Sequence, residues 1–475
     1  MNRTRLVIIA LLVSLVASAA SAGRIHSVVD ISHQFSFYFD GRFAKNYLAG
    51  KGNASVQNWG TLHKFDFDTV NLVVLQSGAS SCKYTPRDVA AIKAFLDSGG
   101  GVIVLGDHAL FREEKTYTLN ALAKVFGAEF VNQGAKRPVV GLGELKGKAI
   151  KNYGGKTISL AGARTWDVLI KDASGRIVMA RTKVGKGKLL LTTRGISGRN
   201  PNAKDPINAE WLSPLLADLA SGKTVDPKRR PRHQRAEMIV KHGGLEIRCS
   251  EYMQPMADEI FKIYRKCLPV QERILGVPPS KGMLATLILL PTGGGGFSSG
   301  RAIGLGTWWG GFPKKRYGMV ELIGHEATHS WVHPFTEPMW NEGIATYVGI
   351  QLGRELGYKT QADKTLAGWI KGARRHDPDM KKYDLAAGRN LPHVVRMAKP
   401  MWIWEQLRKE KPDILACYFR AKRKLADPKK LKRYTAHDSA AVLSVAAGRD
   451  LFKWLQSLGI SVDRTKTTIP VPGKK

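Results

Sequence analysis

From Val28 to Ser221 short apolar runs alternate with amphipathic stretches, and this alternation limits the first half of the chain more than any other feature. Leu72-Val73-Val74-Leu75 and Val102-Ile103-Val104-Leu105 are unbroken apolar runs, the pattern of strands covered on both faces. Between them, Pro86 to Leu96 has helical periodicity with proline near its start. Thr118 to Phe126 reads as a further helix, Lys188 to Thr193 as a later strand and Ile207 to Leu219 as a closing helix. Strands that alternate with helices must return by crossovers, so the pattern predicts parallel β-α units and an open parallel α/β sheet.

With 475 residues the chain exceeds one ordinary domain. The segment 222–235, "GKTVDPKRRPRHQR", is proline-containing, cationic and without apolar periodicity, which marks a basic linker between a domain over 23–221 and a second over 236–463. The tail 464–475 reads as a loose end. In the second unit Leu245 to Arg248 and Leu284 to Leu290 read as strands, with a long amphipathic helix from Met253 to Leu275 between them. Gly293 to Gly296 marks a flexible break and Ala302 to Thr307 an edge strand; the rest, up to Leu458, reads as mainly helical, giving an α+β unit.

Residues 1–22 carry Arg3 and Arg5, an apolar run from Leu6 to Val16, and Ala20-Ser21-Ala22 before Gly23. This is the pattern of a signal peptide cleaved after Ala22, so a secreted or periplasmic protein without a membrane anchor is expected. Cys82, Cys249, Cys267 and Cys417 show no CxxC spacing, and their spacing assigns no disulfide. The net charge of +35 attracts anionic surfaces. Its densest run lies between Arg420 and Arg433, a candidate contact for an anionic surface polymer; no nucleic-acid motif accompanies it.

The segment with the most specific chemistry is "MVELIGHEATHSWVHPFTEPMWNEGIATYVG", Met319 to Gly349. His325 and His329 are four apart, so on a helix they share a face and can hold one ion. Glu326 then lies beside the open coordination position, placed to act as general base. A catalytic zinc needs a third protein ligand, and Glu342, at the start of a second helix introduced by Pro338, is the candidate. Asn341 is placed to orient Glu342 or cap its helix. Tyr383, His393, Tyr434 and His437 are candidate oxyanion donors, and His333 reads as a packing residue or one that supports the ligands, not as a ligand. Trp308 and Trp309 are candidates to line a subsite beside the Ala302–Thr307 strand, an expected dock for an extended peptide.

His325-Glu326-x-x-His329-x-Trp331 followed by Trp340-x-Glu342-Gly343-Ile344-Ala345 resembles the gluzincin metallopeptidases, the peptidase-MA-like and aminopeptidase N-related proteins. That resemblance implies zinc ligation by His325, His329 and Glu342 and general-base work by Glu326. Twelve residues separate His329 from Glu342, fewer than in the aminopeptidase N group. The sequence that fixes a substrate's amino end in that group is replaced by Gly300-Arg301-Ala302-Ile303-Gly304, so endopeptidase action on a protein, peptide or glycoprotein is expected. The stretch "NLVVLQSGASSCKYTPRDVAAIKAFLDSGGGVIVLGDHALF", with "GKGKLLLTTRG" later, is similar to glutamine-amidotransferase-like or ThuA-like domains. Cys82 lacks the glycines of a nucleophile elbow, so a non-catalytic domain is expected, with Asp107 and His108 as ligand-facing positions. The alternatives are a zinc-containing binding protein for anionic cell-surface polymers or glycoproteins and a zinc hydrolase acting on carbohydrate-rich substrates.

Overall fold

A computed structural model describes residues 23–33, 47–48, 50, 52–76, 83–106, 118–151, 155–162, 164–193, 208–242, 244–291, 294–388 and 391–473. Residues 1–22, expected as a signal peptide, and Cys82, Asp107 and His108 lie outside the described residues. The chain is a multidomain α/β protein of two units, one over 1–238 with 250–253 and the other over 239–249 with 254–475.

Unit 1 is built on a ten-stranded mixed sheet. Its strands are β1 (His26–Asp30), β2 (Ala54–Asn58), β3 (Leu72–Gln76), β4 (Gly101–Gly106), β5 (Ala128–Gly134), β6 (Val139–Gly141), β7 (Lys156–Leu160), β8 (Asp167–Asp172), β9 (Ile177–Val184) and β10 (Gly187–Thr193). The order β2-β1-β3-β4-β10 is parallel throughout. Helix α1 (Pro86–Asp97) is fixed by proline in its first turn and by a Thr85–Asp88 capping box. Helix α2 (Asn120–Ala123) is a single turn, and α3 (Ala209–Ala220) closes the unit. Leu72, Val74, Ile103 and Leu105 pack with Leu212, Leu215 and Leu216 of α3. The intervening Val73, Leu75, Val102 and Val104 pack with Ile92, Phe95 and Leu96 of α1. Both faces are covered, which is why these strands read as continuous apolar runs.

The expectation of an open parallel sheet holds for only half of this unit. Beyond β10 the sheet continues through β9 and β7 to β5, and these pairings are antiparallel, as are those of β8 with β9 and with β6. The cause is local: Val184 pairs with Gly187 across the two-residue turn Gly185-Lys186, and so short a connection cannot make a crossover. The segment expected as a free linker lies along the sheet margin. Gln234 bridges Asn58 in parallel, its carbonyl accepts from the Trp59 amide at 2.8 Å, and His233 Nδ1 accepts from the Gln57 amide at 3.1 Å.

Unit 2 has a five-stranded sheet in the order β11-β12-β13-β15-β14. The strands are β11 (Met238–His242), β12 (Leu245–Cys249), β13 (Thr286–Leu290), β14 (Gly296–Ser298) and β15 (Ala302–Gly306). Its helices are α4 (Gln254–Leu275), α5 (Arg316–Trp331), α6 (Asn341–Glu355), α7 (Lys359–Arg374), α8 (His393–Glu410), α9 (Ile414–Leu425), α10 (Ala436–Ala447) and α11 (Phe452–Ser457). The expected edge strand at Ala302 is internal, because the glycine-rich segment before it folds back as β14 and pairs antiparallel with β15. Cys249, Cys267 and Cys417 form no disulfide among the described residues. No helix among the described residues is long and apolar enough to cross a membrane.

Candidate metal centre

The tight crossing of α5 and α6 depends on two glycines. A Cβ at Gly324 would stand 2.7 Å from the Gly349 Cα, and one at Gly349 would stand 2.5 Å from the Glu321 carbonyl oxygen. Only hydrogen at these positions lets the backbones approach so closely, and that approach carries Glu342 to the two histidines. His325 Nε2 and His329 Nε2 are 3.3 Å apart. Glu342 places one carboxylate oxygen 3.4 Å from His325 Nε2 and the other 3.8 Å from His329 Nε2. A tetrahedral zinc with bonds of about 2.0–2.1 Å holds its donor atoms roughly 3.3–3.4 Å apart. Two imidazoles and a carboxylate at this spacing fit such an ion, with one position left open. Glu326 is also near, since one ligand atom each from His325, Glu326 and His329 lie within 4.8 Å of one another. Glu342 approaches both imidazole nitrogens within 3.8 Å, whereas Glu326 belongs with them to the wider 4.8 Å group, from which Glu342 is absent.

Neighbouring groups orient these side chains. The Thr346 hydroxyl donates to the Glu342 carbonyl at 3.0 Å, so its oxygen accepts from His325 Nδ1 at 2.9 Å. The proton is thereby assigned to Nδ1, and the Nε2 lone pair is turned to the ion position. The Asn341 side-chain nitrogen donates to Glu342 at 3.0 Å and so orients that carboxylate; it also lies 3.3 Å from His329 Nδ1. Gln271 on α4 donates to the Gly324 carbonyl at 3.0 Å and to the Thr328 hydroxyl at 2.9 Å, which locks α5 in rotation.

The electrostatics separate the carboxylates. Burial pushes Glu326 up to about 7, whereas the His325 contact brings Glu342 down to about 2 against the effect of burial. Burial, together with the charge of His325, takes His329 down to about 4. For His325 burial is outweighed by Glu342, Glu326 and Glu321, which hold it above its ordinary value. One carboxylate is thus fully ionised for a cation and the other is poised for proton transfer near neutrality.

A cleft of about 520 Å³ opens over these groups, walled by Gly296 to Gly300 on one side and by His325, Glu326, His329, His333, Asn341 and Glu342 on the other. Edge strand β14 approaches so closely that a Cβ at Gly296 would stand 2.8 Å from the Glu326 carboxylate. His333, expected to pack or to support the ligands, lines this cleft. Tyr383, His393, Tyr434 and His437 do not line it, and neither do Trp308 and Trp309. Tyr434 is buried against Phe335 and Tyr418, and His437 accepts from the Asp463 amide.

Sequence reasoning missed a further support. Glu337, in the connection between α5 and α6, is buried in contact with Lys422 of α9, and it accepts from the Tyr418 hydroxyl at 2.8 Å and the Ser439 hydroxyl at 2.9 Å. Lys422 also donates to the Phe335 carbonyl at 2.8 Å. This buried pair fixes the short connection that delivers Glu342. It also turns one cation of the 420–433 run inward. An internal Lys in a basic run carries no sequence signal of its direction.

No family model matches the chain, and no curated protein matches it. Among solved structures it is similar to the mmIFT52 N-terminal domain, at 18% identity and a TM-score of 0.28 over 35% of this chain and 85% of that one. It is also similar to Cytoplasmic Protein STM3548 from Salmonella typhimurium, at 12% identity and a TM-score of 0.28 over 42% of this chain and 96% of that one. Cytoplasmic Protein STM1381 from Salmonella typhimurium LT2 gives 12% identity and a TM-score of 0.27 over 44% and 99%. At these TM-scores the likenesses carry no argument.

Proposed function

We propose that the chain is an exported zinc-dependent endopeptidase of gluzincin type, with His325, His329 and Glu342 as ligands and Glu326 as general base. The observation that carries this reading is the convergence of the two imidazole Nε2 atoms, 3.3 Å apart, with one Glu342 oxygen 3.4 Å from His325 and the other 3.8 Å from His329, beside the Glu326 carboxyl that burial pushes up to about 7. Zinc, when bound there, supplies Lewis acidity toward a carbonyl and lowers the pKa of a water.

Glu326 takes the proton of the attacking water and returns it to the leaving amine; a carboxyl near 7 is matched to both transfers at neutral pH. β14 offers an extended peptide the free edge of a sheet beside the reacting atoms. His333 is the wall residue available to donate to the developing oxyanion. Among the described residues of the cleft wall Glu326 and Glu342 are the carboxylates, with no further acid to hold a substrate's free amino end, which favours cleavage within a chain. The parallel half of unit 1 we read as a non-catalytic glutamine-amidotransferase-like domain, supported by its β2-β1-β3-β4 order.

The test is cleavage of a broad peptide library by zinc-loaded wild type and Glu326→Gln. Internal cleavage by the wild type, lost in the variant with zinc retained, is expected. Zinc binding without cleavage by the wild type would replace this reading by that of a binding protein.

A further inference from the structure

Unit 1 carries a second cavity, of about 560 Å³, walled by Lys64, Lys228, Arg229, Arg230, Arg232 and His233 with Asp66 as the one carboxylate. Two of its five cations are already paired: Arg229 with Asp66 at 2.8 Å, and Lys64 with Glu251 and, at 4.0 Å, with Glu237. Lys228, Arg230 and Arg232 are exposed, and no ion pair to their side chains is present among the described residues. Like charges crowded at this density repel one another, so the arrangement is raised in energy until an anion enters.

The cations are not on a loose tail. The backbone beside them is held to the sheet margin by the Gln234 and His233 bonds to residues 57–59, and Lys223 at the start of the segment donates to the Phe67 carbonyl at 2.8 Å. Pro231 between Arg230 and Arg232 is buried. The guanidinium groups are therefore presented from a fixed backbone, the condition under which planar, two-point recognition of sulfate or carboxylate is effective.

We propose that this cavity binds the sulfate or carboxylate groups of an acidic polysaccharide. The volume exceeds what one small oxyanion needs and suits one or two sugar units. If the chain is exported as proposed above it meets such polymers, and among the described wall residues there is no Trp or Tyr, Phe65 is buried, and His233 is held by the bond from the Gln57 amide.

The test uses the full mature chain and three probes at matched charge: heparin for sulfate, polygalacturonate for carboxylate and duplex DNA. Affinity is measured by calorimetry between about 0.05 and about 0.3 M salt for wild type, for Lys228→Gln/Arg230→Gln/Arg232→Gln, and for a control of equal charge loss outside both basic clusters, Lys262→Gln/Lys266→Gln/Lys371→Gln. All six substituted side chains are exposed, so folding is expected to survive and is checked by circular dichroism. Wild type is expected to bind at least one polysaccharide more tightly than DNA. The first triple variant is expected to lose about tenfold or more, with a salt slope shallower by roughly three, and the control less than threefold. Equal losses in the two variants would assign binding to net charge and overturn the proposal, as would tighter binding of DNA or no binding of either polysaccharide.

Discussion

Two clusters of the same residue types lie in the two units, and they have opposite fates. In unit 1 Asp30 and Asn58, at the ends of adjacent strands, meet His33, Tyr84 and Asp88. His33 Nδ1 lies 2.8 Å from Asp30, Nε2 lies 3.7 Å from Asp88, and the three side chains are 0% exposed. Asp30 further accepts from Asn58 at 2.9 Å and from Ser32 at 2.6 Å, and Asp88 accepts from the Tyr252 hydroxyl at 2.7 Å. In unit 2 His325 and Glu342 are 17% and 44% exposed and face a cleft. Polar partners saturate the carboxylates of the first cluster, whereas the second leaves nitrogen lone pairs and carboxylate oxygens converging on a point. Convergence with access, and not residue type, separates a reactive site from a buried polar weld.

The largest difference is expected in chemistry. Glu326→Gln should lower kcat for peptide cleavage by about three orders of magnitude with zinc retained, while His33→Gln should leave kcat per bound zinc within twofold; both are read by steady-state kinetics with metal analysis. Loss of activity on His33→Gln with zinc content intact would dissolve the contrast.

Next is stability in unit 2. Glu337→Ala strands Lys422 in a buried site, and about 3–5 kcal/mol of loss is expected in denaturant unfolding. Glu337→Ala with Lys422→Met should recover much of it, and a double variant no better than the single would show that the pair is not the cause.

A smaller effect is expected where a ligand is only oriented. Thr346→Val removes the acceptor of His325 Nδ1 and should weaken zinc binding by about 10- to 100-fold. An unchanged Kd in a chelator competition would mean that Thr346 has no part in setting the tautomer.

The smallest separates the units by pH. His33 is held above its ordinary value: burial alone would lower it, but Asp30 and Asp88 outweigh burial. Its contribution is complete below about 6.5 and is lost as pH rises through the folded value. Glu405 is held down to about 2, where its bonds from Arg408, Arg354 and Tyr347 overcome burial, so its contribution is present above about 4.5 and lost as pH falls toward 2. Hydrogen exchange at pH 6 and pH 9 should show weakened protection in unit 1 with little change around Glu405; weakening confined to unit 2 would reverse the assignment.

Much of this was legible in the sequence, and the residues explain which parts. Leu72 to Leu75, Pro86 to Leu96 and Val102 to Leu105 are local signals, and they fall on β3, α1 and β4. His325 and His329 share a face by spacing alone. What failed to show depends on distant partners. The glycine contact of 324 with 349 reads as two ordinary helical glycines, and Glu337 gives no hint of Lys422, which lies 85 residues away. The edge strand was displaced by one element because three residues of β14 are too few to give a period.

The most direct measurement of the central claim is the zinc content and zinc Kd of the full chain for wild type and Glu342→Ala, by plasma mass spectrometry and chelator competition. The account predicts one zinc per wild-type chain and at least about 100-fold weaker binding in Glu342→Ala with the circular dichroism spectrum unchanged. A wild type without zinc, or a variant that binds it with unchanged affinity, would contradict the account.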